Sequence, residues 1–200
     1  MNLPNKITLS RIFMIPIFVA IFFLTVIPGN YIIAAIIFAL AACTDFVDGH
    51  IARSRGLVTN LGKFLDPIAD KVLVSTAMLL LLTMKETLFA VLGGLADTVY
   101  LITTVCICII MARELIISAF RQIAAANGII MAAEKLGKYK TACQDTAICI
   151  LIFAAGFTGT FGLIITWVGL GLFAVATVLT VWSGISYVVK NKQVLQDKKD

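Results

Sequence analysis

The sequence predicts an all-α, polytopic membrane protein with six transmembrane helices and both termini in the cytoplasm. Three observations carry that expectation. Of 200 residues, 60% are hydrophobic and 14% are charged, whereas a soluble domain carries roughly a quarter charged residues. The mean hydropathy is +1.03. The apolar sequence also divides into six stretches separated by Gly, Pro, Asn and charge. A span needs about 20 apolar residues, so six of them fill the chain, and residues 1–200 are expected to form a single domain.

Taken in order, the first span covers about Ile12 to Ile27 and is retained, because Pro28, Gly29 and Asn30 follow it in place of a small-residue cleavage site. The second runs from Tyr31 to about Arg53, the third from about Leu65 to Met84 and the fourth from about Val99 to Ala125. The fifth covers Thr141 to Phe157 and the sixth Leu163 to Val189. Leu88 to Leu95 is too short to span and contains Gly93 and Gly94, which makes it interfacial. The five cysteines lie in or beside apolar stretches without paired C-x2-C clusters, so they read as packing residues.

The sixteen Lys and Arg residues test this count, because cytoplasmic connections are enriched in them. Lys6 and Arg11 precede or begin the first span, and Arg53, Arg55, Lys63 and Lys71 surround the second connection. Arg113, Arg121, Lys135, Lys138 and Lys140 approach or occupy the fourth connection, and Lys190, Lys192, Lys198 and Lys199 form the tail. Lys85 alone falls on the opposite side. Five or seven spans would place whole clusters on the wrong face. The net charge of +5 therefore belongs to one face, opposite anionic membrane lipids or a phosphorylated substrate, and no nucleic-acid partner is expected.

Four of the eleven acidic residues, Asp45, Asp48, Asp66 and Asp70, lie in DFVDGHIARSRGLVTNLGKFLDPIAD across the second and third spans. A carboxylate within a span costs a few kcal/mol on the lenient insertion scale. Four together are tolerable around divalent metal, whose charge keeps them ionised. Asp45 and Asp48 are i, i+3 and Asp66 and Asp70 are i, i+4, so each pair shares a helix face. All-oxygen ligation favours Mg²⁺ or Mn²⁺ over zinc. Gly49 and Ala52 leave room for a ligand beside Asp48, and Arg53 meets a phosphate. This set suits a diphosphate bridged by metal ions. The competing reading pairs the aspartates with Arg53, Arg55, Lys63 and Lys71 at a membrane surface, which gives no role to Gly49 or Pro67.

Written as D-x2-D-G-x2-A-R-x8-G-x3-D-x3-D, with Gly62 at the central glycine, the segment resembles the CDP-alcohol phosphotransferase family. Every fixed position is present, and the six-span layout extends the likeness over nearly the whole chain. The resemblance implies attack by an acceptor hydroxyl on the lipid-side phosphorus of a CDP-linked lipid, with CMP leaving. It implies that Asp45, Asp48, Asp66 and Asp70 surround two metal ions and that Asp70 is the base. Gly49, Ala52 and Arg53 would bind the CDP-lipid, with Thr59 a further candidate. Asn5 and Thr8, in the opening NKIT, resemble the segment that closes over the nucleotide, where the alternative is an interfacial helix cap. The family also implies a homodimer in the cell membrane, multi-pass, with its active site facing the cytoplasm.

The core motif leaves the acceptor open. Arg113 lies near the middle of an apolar segment, where a solvated face explains it poorly, and with Lys138 and Lys140 it is expected to hold an acceptor's phosphate. The alternatives are an ion pair of Arg113 with Glu114 or Glu134, and lysines that only set orientation. MARELIISAFRQIAA and LGKYKT also resemble the family's bacterial phosphatidylglycerophosphate synthase subgroup, which implies CDP-diacylglycerol as donor and sn-glycerol 3-phosphate as acceptor. An inositol phosphate or serine acceptor is the alternative within the same chemistry. A divalent-cation transporter is the alternative in another class, but it calls for acidic residues through the outer half, where Glu86 and Asp97 are the candidates. A nonenzymatic lipid-binding protein leaves the aspartate pattern without a reason.

Overall fold

The computed structural model describes residues 3–54, 60–126 and 135–192, with side chains for 8–44, 65, 68–125 and 136–192. The described residues form six α-helices: α1 (Leu3–Phe23), α2 (Asn30–Ser54), α3 (Asn60–Leu82), α4 (Ala96–Ala126), α5 (Lys135–Ala154) and α6 (Gly159–Lys190). One π-helical turn, Lys85–Phe89, and one 3-10 stretch, Ala90–Leu95, join α3 to α4.

The helices occupy the six expected stretches with shifted ends. The first was expected from Ile12 but begins at Leu3, because the polar opening is helical although it is not apolar. It also stops at Phe23 rather than Ile27. Asn30 explains the stop: its buried Nδ2 donates to the Phe22 carbonyl at 2.7 Å, satisfying an acceptor that the helix end leaves open. The α3–α4 connector is irregular, as its length and glycines required. Lys85 bridges Asp97 at 2.9 Å there, and the Tyr100 hydroxyl donates to the Leu82 carbonyl at 3.2 Å.

The core runs through all six helices. Phe18 of α1 meets Phe38 of α2 with ring centroids 5.8 Å apart, and Phe22 meets Tyr31 edge-on at 5.3 Å. Leu73, Met78 and Leu81 of α3, Ile110 of α4, Leu151 of α5 and Phe173 of α6 complete it. The most extensive helix contact is α5 with α6, followed by α1 with α2. Gly169 permits the first of these, since a Cβ there would lie 2.8 Å from Leu151 Cδ2.

The outer surface is apolar as well. Leu101, Ile102 and Val105 on α4 and Val178, Trp182 and Ile185 on α6 are all exposed. A water-facing surface of this kind is an aggregation hazard, whereas a lipid-facing one is the lower-energy arrangement. Among the described residues, Lys85–Ala125 and Gly159–Lys190 are long and apolar enough to cross a bilayer, and Thr8–Phe23 and Asn30–Thr44 are shorter apolar helices. Several hydroxyls inside these helices bond back to their own backbone, as in Thr177 to Phe173 at 2.8 Å and Thr180 to Ala176 at 2.6 Å. In lipid, polar groups must be satisfied internally in this way.

Candidate active site

The aspartate pattern falls on the end of α2 and the start of α3, two helices in contact with each other. Residues 45 and 48 stand about one turn apart on α2, and residues 66 and 70 about one turn apart on α3. The side chains of Asn5, Asp45, Asp48, Gly49, Ala52, Arg53 and Asp66 lie outside the described ones, and Thr59 lies outside the described residues altogether. Asp70 is half-buried on α3. Among the described residues no three His, Cys, Asp or Glu side chains form a metal-binding group. As a donor set, four carboxylates on two adjoining helices fit a hard divalent cation, which prefers oxygen and offsets the cost of charge in a membrane.

At the edge of this region Thr8 and Arg11 of α1 are both buried. The sequence reading counted Arg11 only as a cytoplasmic charge. The structure places its guanidinium inside, with Nε donating to Thr44 Oγ1 at 3.3 Å, and Thr44 Oγ1 donating to the Ala41 carbonyl at 2.6 Å. Arg11 thereby ties α1 to the α2 residue next to Asp45. The contact spans 33 residues of sequence, and no local pattern announces it.

Toward the same ends of the bundle, α4, α5 and α6 assemble a second polar cluster. Arg113 on α4 donates from Nη1 to Glu114 Oε1 at 2.9 Å and from Nη2 to Ser183 Oγ of α6 at 2.9 Å. Lys140 of α5 donates its ammonium to the same Glu114 oxygen. Lys140 is 4% exposed, so its charge depends on that carboxylate. About two turns further along α4, Arg121 Nε reaches the Tyr187 hydroxyl at 3.2 Å, with its guanidinium 5.1 Å from that ring's centroid. Lys71 of α3 lies within electrostatic reach of Glu114, Arg121, Asp70 and Lys140, so the last motif aspartate and the cationic cluster border one region.

Of the three cations expected at an acceptor's phosphate, the structure brings together Arg113 and Lys140. Lys138 is exposed. The reason is helical: residues two apart on a helix face nearly opposite ways. The pairing of Arg113 with Glu114, weighed as an alternative in the sequence, is present, and Glu134 lies outside the described residues. Sequence reasoning missed Ser183 and the central place of Glu114. Ser183 joins Arg113 across 70 residues and Lys140 joins Glu114 across 26, separations that no periodicity reveals.

The glycine at 184 belongs to this cluster too. A Cβ at Gly184 would stand 3.0 Å from both Cγ and Nε of Arg113, so α6 admits the guanidinium only because no side chain is there. Nε of Arg113 has no hydrogen-bond partner among the described residues.

Comparison with known proteins adds three observations. The sequence profile described as CDP-alcohol phosphatidyltransferase matches residues 1–183. A Bacillus subtilis (strain 168) protein named CDP-diacylglycerol--glycerol-3-phosphate 3-phosphatidyltransferase is 38% identical over 207 aligned positions, covering 98% of this chain and 97% of its own. Proteins of the same name from Shigella flexneri serotype 5b (strain 8401) and Escherichia coli (strain K12) are each 36% identical over 199 positions, covering 98% of both chains.

Proposed function

Because the chain belongs to the CDP-alcohol phosphatidyltransferase family, we propose that it transfers the phosphatidyl group of CDP-diacylglycerol to sn-glycerol 3-phosphate, giving phosphatidylglycerol phosphate and CMP. The observation that carries the reading is the end-to-end match to relatives bearing that enzyme name. The Arg113–Glu114–Lys140 cluster, in which Lys140 is buried, supports it, because a phosphorylated acceptor needs more cations than serine does.

The acceptor's primary hydroxyl oxygen forms a bond to the lipid-side phosphorus, and the bond from that phosphorus to the CMP oxygen breaks. Asp70 takes the hydroxyl proton on a carboxylate oxygen. Arg53 pairs with the diphosphate of the CDP-lipid, beside Gly49 and Ala52, with Asn5, Thr8 and Thr59 around the nucleotide. Arg113 and Lys140 hold the acceptor's phosphate and so orient its hydroxyl. Divalent cations are used across the family; two of them, Mg²⁺ or Mn²⁺, held by Asp45, Asp48, Asp66 and Asp70, would neutralise the charge that builds on the diphosphate.

All six helices cross the membrane in this reading. Both termini and the active site then face the cytoplasm, where soluble sn-glycerol 3-phosphate is available, and two copies associate as a homodimer. The test is product identification: purified protein supplied with CDP-diacylglycerol, sn-glycerol 3-phosphate and Mg²⁺ releases CMP and phosphatidylglycerol phosphate in equal amounts. CMP release without a phosphatidyl product would reduce the activity to hydrolysis and reject the proposal.

A further inference from the structure

Glu114 accepts both Arg113 and Lys140 on one oxygen, Oε1, at a point where α4, α5 and α6 meet. Two cations donating to a single atom stand within about two hydrogen-bond lengths of each other, roughly 6 Å. Without an intervening carboxylate they would repel. Arg113 is held from its other side as well, by Ser183 at 2.9 Å.

We propose that Glu114 is a positioning residue of the acceptor site, one that fixes the spacing and direction of Arg113 and Lys140 without itself contacting the acceptor. The inference rests on the reading of those two cations as the acceptor's phosphate site. Unused donors favour a carboxylate that stays in place over one that the phosphate displaces. An ammonium has three N–H groups and a guanidinium five, and Glu114 takes one from each cation while Ser183 takes one more from Arg113. Among the described residues, donors therefore remain for a phosphate with the Glu114 bonds intact. The carboxylate also lowers the local positive charge where buried Lys140 and half-buried Arg113 and Lys71 lie together.

The experiment compares Glu114→Ala, Glu114→Gln and Arg113→Ala in purified protein, with KM measured separately for sn-glycerol 3-phosphate and CDP-diacylglycerol. Glu114→Ala is expected to raise the KM for sn-glycerol 3-phosphate about tenfold, the low end for one charge-assisted hydrogen bond. The KM for CDP-diacylglycerol stays within about twofold. Glu114→Gln, whose amide oxygen still accepts but carries no charge, recovers only part of the loss, so its acceptor KM lies between those of the unmodified protein and Glu114→Ala; if the alanine variant does not fold, the selective rise in acceptor KM is read in Glu114→Gln. A lower acceptor KM in either Glu114 variant would overturn the proposal, showing a carboxylate that competes with phosphate. So would a rise in both KM values together with no recovery in Glu114→Gln, the mark of a purely structural residue. Arg113→Ala separates the two levels. If it leaves the acceptor KM unchanged, the phosphate-site reading fails and this inference with it; if it raises that KM while Glu114→Ala does not, this inference alone fails.

Discussion

Gly184→Ala is a one-methyl change that should harm acceptor binding while leaving the fold intact. The new Cβ would lie 3.0 Å from Cγ and Nε of Arg113 and 3.6 Å from its Cδ, so the side chain must shift by a few tenths of an ångström. Arg113 has little freedom to do so, because Glu114 and Ser183 each hold it at 2.9 Å. Yielding means stretching or losing one of these bonds, and a hydrogen bond to a charged group is worth about 1.5–3 kcal/mol. The flexible side chain places the effect at the lower end, which is roughly tenfold in affinity. Alanine in place of a helical glycine favours the helix by about 1 kcal/mol, so the thermal midpoint should change little. Gly171→Ala on the same helix is the control, because a Cβ there meets nothing within 4 Å. Steady-state assays should show the KM for sn-glycerol 3-phosphate raised about tenfold in Gly184→Ala and unchanged in Gly171→Ala, with the CDP-diacylglycerol KM unaffected in both. Equal kinetics in the two variants would refute the assignment of Arg113 to the acceptor.

Three further outcomes follow from the same account. Asp66→Asn should abolish transfer while the protein remains monodisperse in detergent, and EDTA should do the same to the unmodified protein until Mg²⁺ or Mn²⁺ is restored; full activity in metal-free buffer would reject metal dependence. Asp70→Asn should lower turnover more than CDP-diacylglycerol binding, because proton removal matters during attack; a dominant loss of binding would mark Asp70 as a ligand rather than the base. The Asp97 carboxylate, by hydrogen bond and charge, holds the Lys85 ammonium above its usual pKa. The pair's contribution is therefore complete below the usual value of about 10.4 and is lost as pH rises through the raised one. Asp97→Asn should return the Lys85 titration, followed by NMR of methylated lysine, toward the usual value without changing the transfer rate.

A candidate site could be proposed from the sequence because carboxylates are costly in an apolar chain. Asp45, Asp48, Asp66 and Asp70 stand out against their surroundings, and their spacing is local, so helix geometry alone pairs them within α2 and α3. The helix count was readable for the same reason: breaks in apolar sequence coincide with chain reversals. Helix ends were less so. Hydropathy reports where apolar residues stop, whereas α1 stops where the Asn30 side chain reaches the Phe22 carbonyl. The Glu114 hub, Ser183 and buried Arg11 were hidden because each depends on which residues of distant helices meet. Within its own segment Glu114 was an ordinary neighbour of Arg113, and only the arrival of Lys140 from α5 gives it a second cation to hold. Lys138 shows the converse. Sequence proximity to Lys140 suggested a shared role, and the roughly half-turn between them leaves Lys138 exposed.

Acceptor competition tests the central claim most directly. Purified protein in mixed micelles with CDP-diacylglycerol and Mg²⁺ is given sn-glycerol 3-phosphate, glycerol, serine and inositol phosphate, singly and together, and the phosphatidyl products are resolved by mass spectrometry. The account predicts that phosphatidylglycerol phosphate dominates the mixture and that unphosphorylated glycerol is a poor acceptor, unaffected by Arg113→Ala. Glycerol reacting as well as sn-glycerol 3-phosphate, or serine outcompeting both, would contradict it.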